Sequence, residues 1–401
     1  MEERKAGLFM KLARRVESIT LSQTLAVKKA AEELKRQGID VIDLGPGEPD
    51  FATPEHIKIA AKRAIDQNLT KYTAEVGIPQ LRQAIVEKYN GSYKTHYQPE
   101  NVIVTSGAKQ ALYHIAEALF EQSDEVIIPT PYWVSYPEQV RLNDAQPVIV
   151  QTRESDHFRL KASAIERALT ARTRAVIVNS PNNPTGATVE RAELEQIVQL
   201  AHKHKFFVIF DECYEHFLYE GKHVCAAEFD TERVIVVSSV SKSYAMTGWR
   251  IGWALGPVPL IQALSKIQSH STSHPTSIAQ HAAVAALQGD QRCLIEMLSQ
   301  YTERRAFVLE EVAKIPGLRC SVPTGAFYLF PNIAGFCDGR EIKNSVDFAR
   351  FLLREAHVAV VPGAAFGAEG YVRLSYATSM SQLAEGMSRL RRALSRVRAT
   401  A

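Results

Sequence analysis

The sequence predicts an α/β protein with a mostly parallel seven-stranded sheet, helices on both faces, and a smaller α+β domain. Three observations carry this. Seven short apolar runs rich in valine and isoleucine recur from about residue 100, amphipathic helical patterns separate them, and the last quarter of the chain loses that alternation.

The seven runs are VIVT at 102, VIIP at 126, PVIV at 147, AVIV at 175, FVIF at 207, VIVV at 234 and IGWAL at 251. Runs this apolar suit strands covered on both faces. Between them, Leu112, Ile115, Ala116 and Leu119, then Leu194, Ile197, Val198 and Ala201, repeat at helical spacing. A long charged helical stretch from about 290 to 314 is followed by GAFYLF, a helix around SVDFARFLLREA, a short VAVV, then YVRLSYA and a final basic helix. That mixed order predicts a small domain of residues 316–401 joined by 1–53, beside a large domain of 54–315.

Composition sets the outer bounds. The 401 residues are 46% hydrophobic and 23% charged, enough for a large core without metal or disulfide staples. A net charge of +3, interleaved except near the termini, gives no footprint for nucleic acid. The five cysteines are odd in number, scattered and never in a Cys-x-x-Cys pair, which speaks against a disulfide framework and a zinc site. The opening MEERKAGLFMKLARR lacks a long apolar run, so the expectation is a cytoplasmic protein that is neither exported nor membrane-bound.

In open α/β sheets ligands sit beyond the carboxyl ends of the strands. After VIVT comes SGAKQAL, where Ser106, Gly107 and Ala108 open a helix whose amides and dipole attract an anion. After AVIV comes NSPNNPTG, an irregular turn that projects Asn183. After FVIF comes DECYE, with Asp211 at the strand end and Tyr214 three residues on. After VIVV comes SVSKSYAMTGWRIGW, with Lys242 among hydroxyls and Arg250 eight residues later. A lone lysine after a strand is usually a solvated loop charge, Asp211 alone could cap a helix and Asn183 alone could hold a turn. Together they put an anion cradle, an amide, a carboxylate, a phenol and a lysine on one sheet edge.

NSPNNPTG, DECYE, SKSYAMTGWRIGW and YVRLSYA, in this order and spacing, resemble the class I aminotransferases of fold type I, which use pyridoxal 5'-phosphate (PLP). The resemblance spans essentially the whole chain and is nearest to the bacterial aspartate aminotransferases of subgroup Ib, some of which also act on prephenate. It implies that Lys242 is the lysine to which PLP is attached. Ser239, Ser241 and Arg250, with the amides of Gly107 and Ala108, match the phosphate site, and Tyr72 of TKYTAEVG matches a tyrosine reaching that phosphate from a partner subunit, hence a homodimer. Asp211 matches the carboxylate facing the pyridine nitrogen. Tyr214 and Asn183 match the groups at the phenolic oxygen, and Trp133 of TPYWVSYP matches the aromatic stacked on the ring.

For the substrate, Arg373 alternates with Val372 and Leu374 on its strand, and a guanidinium there either pairs with a protein carboxylate or waits for one from a ligand. The resemblance selects the second, with Asn183 and the backbone near Gly47 of GPGEPDF assisting. Lys109 opposes the helix dipole in the first turn and so asks for an anion, either the PLP phosphate or, as in subgroup Ib, the distal carboxylate of an acidic substrate. Thr24 of LSQTLAV matches a threonine at the same end of the substrate. His270 and His274 have a four-residue spacing but read as loop or interface histidines. The implied reaction is transamination between L-aspartate and 2-oxoglutarate, with prephenate as a further acceptor in some members. Aminotransferases for neutral or aromatic amino acids, and carbon-sulfur lyases of the same fold, share most of these residues and stay open at this point.

Overall fold

The computed structural model describes residues 12–21, 23–337 and 341–399. A short strand, β1 (Ile42–Asp43), precedes the main sheet. That sheet contains, in chain order, β2 (Val102–Thr105), β3 (Glu125–Thr130), β4 (Gln146–Gln151), β5 (Thr173–Asn179), β6 (Phe207–Asp211), β7 (Val234–Ser239) and β8 (Gly252–Leu255). These are the seven apolar runs. Their spatial order is β2-β8-β7-β6-β5-β3-β4. All neighbours are parallel except β8, which runs antiparallel to both β2 and β7, so six strands point one way and one is reversed.

Alternation along the strands divides two hydrophobic cores. Val104, Val176, Val178, Val208, Phe210 and Val236 face one core, which also receives Leu194, Ile197, Val198 and Ala201 of the helix Arg191–His204. Ile103, Ile177, Ile209, Ile235 and Val237 face the other, with Leu112, Ile115, Ala116 and Leu119 of the helix Ala108–Leu119. The two helical repeats therefore cover opposite faces. Burying both faces removes the polar alternation a half-exposed strand would show.

Beyond the sheet, the helix Arg292–Ala313 leads to β9 (Tyr328–Leu329), β10 (Val358–Ala359), β11 (Val361–Pro362) and β12 (Val372–Ser375). β12 lies between β11 and β9 in an antiparallel sheet, and β1 pairs in parallel with β10. A third core joins Ile42 and Leu44 to Met297, Tyr301, Val308, Phe327, Leu374 and Leu390, and takes in Tyr214 and Phe217 from just after β6. The stretch SVDFARFLLREA is an α-helix only over Ser345–Phe351 and finishes as a π-helical turn, Leu352–Ala356. Its start is capped as its composition suggests, the Asn344 side chain accepting from the Asp347 N–H. Among the described residues no helix is long and apolar enough to cross a membrane.

Candidate active site

The reversed strand gathers the site. Register places Thr105 and Ser239 both opposite Gly252, so the ends of β2 and β7 meet the start of β8 at one edge, while Asn179 of β5 stands opposite Asp211 of β6. Gly252 permits this approach: a Cβ there would lie 2.3 Å from the Ala108 nitrogen. Gly107 has φ +85°, and its own Cβ would lie 2.3 Å from Nη2 of Arg250. Arg250, at φ 57°, donates to Thr247 O (2.8 Å) and Ser106 O (3.1 Å), which lays its guanidinium against the helix entrance.

The anion cradle differs in one detail from the sequence expectation. The Gly107 N–H turns inward and donates to Thr105 O at 2.7 Å, so it is not offered to a ligand in this conformation. Ser106 N–H is likewise taken, by Gln110 Oε1 at 2.6 Å. The open donors at this helix start are the amides of Ala108 and Lys109, which have no acceptor among the described residues, beside Arg250. Ser239 and Ser241 are buried at the same edge, with the Ser241 N–H donating to Ser239 Oγ at 3.3 Å.

Asp211 is buried and held from two sides: Tyr136 Oη donates to it at 2.6 Å and the Cys213 N–H at 3.2 Å. Burial raises the carboxyl's pKa, and these two hydrogen bonds, with the charge of Lys242, oppose the rise. Burial depresses the Lys242 amine to about 8, and its Nζ donates to Gly47 O. Tyr214 Oη shares a 2.8 Å hydrogen bond with Tyr328 Oη, and burial raises the Tyr214 phenol further.

Arg373 is 3% exposed, yet no carboxylate pairs with it among the described residues. Its Nη1 donates to Asn183 Oδ1 at 2.8 Å and its Nη2 to Gly45 O at 2.6 Å, while Nε is buried without a partner. Tyr328 and Phe366 pack on its faces, 4.4 and 5.0 Å from the ring centroids. The Asn183 N–H is held by Asn179 Oδ1 at 2.8 Å. Lys109 sits 4.8 Å over the Trp133 ring, with its amine depressed by burial and then by the nearby Arg250 charge.

Two expected members lie apart. Tyr72 is 89% exposed and packs edge-on against His274, with ring centroids 5.6 Å apart. Thr24 stands in the first turn of the helix Gln23–Arg36 without a hydrogen bond to the other site residues. It precedes by one turn Val27, whose methyl group approaches Gly45. Two residues had no role in the sequence reading. Tyr136, quoted within TPYWVSYP, lies in the first turn of the helix Ser135–Leu142 and by pattern looks like packing. Tyr328, inside GAFYLF, looks like core by pattern.

The arrangement separates an anion-binding end, at the Ala108 and Lys109 amides and Arg250, from a buried carboxylate, with an amine of lowered basicity among them. A model of the class I and II aminotransferases matches residues 39–390. The chain belongs to that family. It is a PLP-dependent aminotransferase, and the donor set fits the cofactor: an anion cradle for a phosphate, an acid for a pyridine nitrogen and a lysine for an aldehyde. An aspartate aminotransferase of Geobacillus stearothermophilus is 46% identical over 387 residues, 96% of this chain and 98% of the relative. An aspartate/prephenate aminotransferase of Nitrosomonas europaea is 44% identical over 96% of this chain and 100% of its own length. Among solved structures, the Thermus thermophilus aspartate aminotransferase with maleate superposes with a TM-score of 0.92 at 43% identity, covering 96% of this aminotransferase and all of that chain. The Rhizobium meliloti aspartate aminotransferase gives the same TM-score at 44% identity, covering 96% and 99%.

Proposed function

We propose that this aminotransferase moves the amino group between L-aspartate and 2-oxoglutarate, giving oxaloacetate and L-glutamate, with prephenate as a further acceptor. The buried Arg373 without a protein carboxylate carries the reading, because a desolvated guanidinium asks for an anion and a bidentate α-carboxylate matches its fork. Lys109 gives the preference for a second carboxylate, being exposed at the helix start, held over the Trp133 ring and unpaired with any acidic side chain among the described residues. Relatives named for aspartate and for aspartate/prephenate support both substrates.

PLP, when bound, supplies an electron sink for the pair left behind as the α-proton departs. Its phosphate would be held by the Ala108 and Lys109 amides, Arg250, Ser239 and Ser241. Gly107 serves by its shape, leaving room for the Arg250 guanidinium. Asp211 would hold the pyridine nitrogen in its protonated form, Asn183 and Tyr214 would hydrogen-bond the phenolic oxygen, and Trp133 would cover the ring. Lys242 would hold the cofactor and, when free, would move the proton at the substrate's α-carbon; burial lowers its amine from 10.5 to about 8, so the neutral, basic form becomes accessible at mildly alkaline pH. Arg373 orients the α-carboxylate with Asn183 and the Gly45–Gly47 backbone, and Thr24 borders the distal end.

Residues 54–315 form the cofactor-binding part, and 1–53 with 316–401 a smaller part. The enzyme works as a homodimer in the cytoplasm, Tyr72 completing the phosphate site of the neighbouring subunit; its exposure in the single chain supports that role. Adding L-aspartate to the PLP-loaded protein should bleach the visible band and 2-oxoglutarate should restore it, with L-alanine and L-phenylalanine far less effective. Equal bleaching by all three donors would overturn the acidic preference, and release of pyruvate and ammonia would point to a lyase.

A further inference from the structure

The loop GPGEPDF presents two carbonyls to the site: Gly45 O accepts from Arg373 and Gly47 O from Lys242. Its first end is fixed by backbone pairing, Leu44 N–H donating to Ala359 O and Leu44 O accepting from the Ser375 N–H. Gly47 lies under the Tyr328 hydroxyl, where a Cβ would come within 2.4 Å of that oxygen. The far end is fixed differently. Arg304 of the helix Arg292–Ala313 grips Asp50 with two hydrogen bonds, Nη1 to Oδ1 at 2.6 Å and Nη2 to Oδ2 at 3.0 Å. The Arg304 side chain is only 6% exposed and that of Asp50 29%. Phe51 and Tyr301 flank the guanidinium at 4.9 and 5.4 Å and pack edge-on against each other at 5.3 Å.

We propose that Asp50 and Arg304 are positioning residues for substrate binding: their forked ion pair locks the end of the 45–51 loop to the long helix and so aims the Gly45 carbonyl at Arg373 and the Gly47 carbonyl at Lys242. Neither side chain touches substrate. A planar fork fixes both distance and rotation of the loop end, which a single surface contact does not. Glu48 adds a bond to Thr247, and Thr53 donates to Ala245 O at 2.8 Å, yet both tie the loop to the segment after Lys242 and neither reaches the long helix. This inference rests on Arg373 as the carboxylate-binding residue.

The test compares Asp50→Asn, Arg304→Lys and Arg304→Met in the PLP-loaded enzyme, with Arg373→Lys as a control, using maleate binding by calorimetry, steady-state kinetics with aspartate, and backbone hydrogen exchange. Asp50→Asn and Arg304→Met should raise the maleate Kd and the KM for aspartate about tenfold while kcat stays within about twofold, with Arg304→Lys falling between. Exchange should quicken in residues 45–51 and stay unchanged in the central strands. Unchanged Kd and KM would overturn the proposal, as would exchange that quickens uniformly across the protein. Should Arg304→Met fail to fold, Asp50→Asn, which keeps the side-chain volume, decides the matter alone. If Arg373→Lys leaves maleate affinity intact, it is the Arg373 assignment that fails.

Discussion

Tyr136 donates its phenolic hydrogen to the buried Asp211 carboxylate at 2.6 Å. This bond and the Cys213 amide keep a carboxylate ionisable where burial alone would push it toward neutrality. Tyr136→Phe removes one of the two. Hydrogen bonds to charged groups contribute about 1.5–3 kcal/mol, so kcat/KM should fall about 10- to 100-fold. The Asp211 pKa rises further, so the acidic limb of the pH–activity profile should shift to higher pH. A profile that keeps its position would show that the tyrosine does not act through Asp211.

Lys109→Ala should separate acidic from neutral substrates. Losing a charge-assisted contact to the distal carboxylate costs about 1.5–3 kcal/mol, a roughly 10- to 100-fold drop in kcat/KM for aspartate, with phenylalanine and alanine nearly unaffected. Equal losses for all three would reassign the lysine to the cofactor phosphate.

Lys242 links the stability of the PLP-free protein to pH. Its ordinary pKa of 10.5 falls to about 8 in the folded chain because burial disfavours the ammonium. Below pH 8 the amine is charged whether folded or not, and the folded state carries the full desolvation cost. Between 8 and 10.5 the unfolded chain binds more protons than the folded one, so this contribution to stability rises with pH. PLP-free Lys242→Met should therefore melt above the parent at neutral pH, and the gap should narrow as pH approaches 10.5. Thermal unfolding at a series of pH values reads this directly; a constant gap would contradict it.

Shared sites predict complementation. Tyr72→Ala and Lys242→Ala subunits, each poorly active alone, should regain activity when dissociated and reassembled together. A mixed dimer holds one site with both native residues, so about a quarter of full activity is expected from random pairing. No gain above the mean of the two parents would place Tyr72 within its own subunit's site.

Much of this molecule was legible in the chain. Seven apolar runs became the seven strands, because strands buried on both faces lose polar alternation and stand out. The direction of β8 was not legible: IGWAL is as apolar as its parallel neighbours, and what reverses it is the connection over residues 240–251, which returns the chain so that Gly252 pairs with Ser239. Lys242, Asp211 and Asn183 stand out in the sequence as candidates because polar groups just past apolar strands are chemically conspicuous. Tyr136 and Tyr328 escaped because a phenol is mostly ring, and by pattern both look like packing; only the partners of their hydroxyls separate them from core aromatics. The inward turn of the Gly107 amide closes a three-residue turn centred on Ser106, a backbone conformation that the residue type permits but does not dictate.

The reversal of β8 also has a meaning for protein engineering. Lys242 and Arg250 stand on a single hairpin, between Ser239 and Gly252, and the seat of that hairpin is the backbone of residues 105–108. The smallest transplantable unit that keeps this lysine together with the anion cradle is thus a three-stranded ribbon of β7, β8 and β2 with the helix start that follows β2. A scaffold offering only parallel strands would carry the lysine and the arginine at unrelated ends, however faithfully the individual residues were copied.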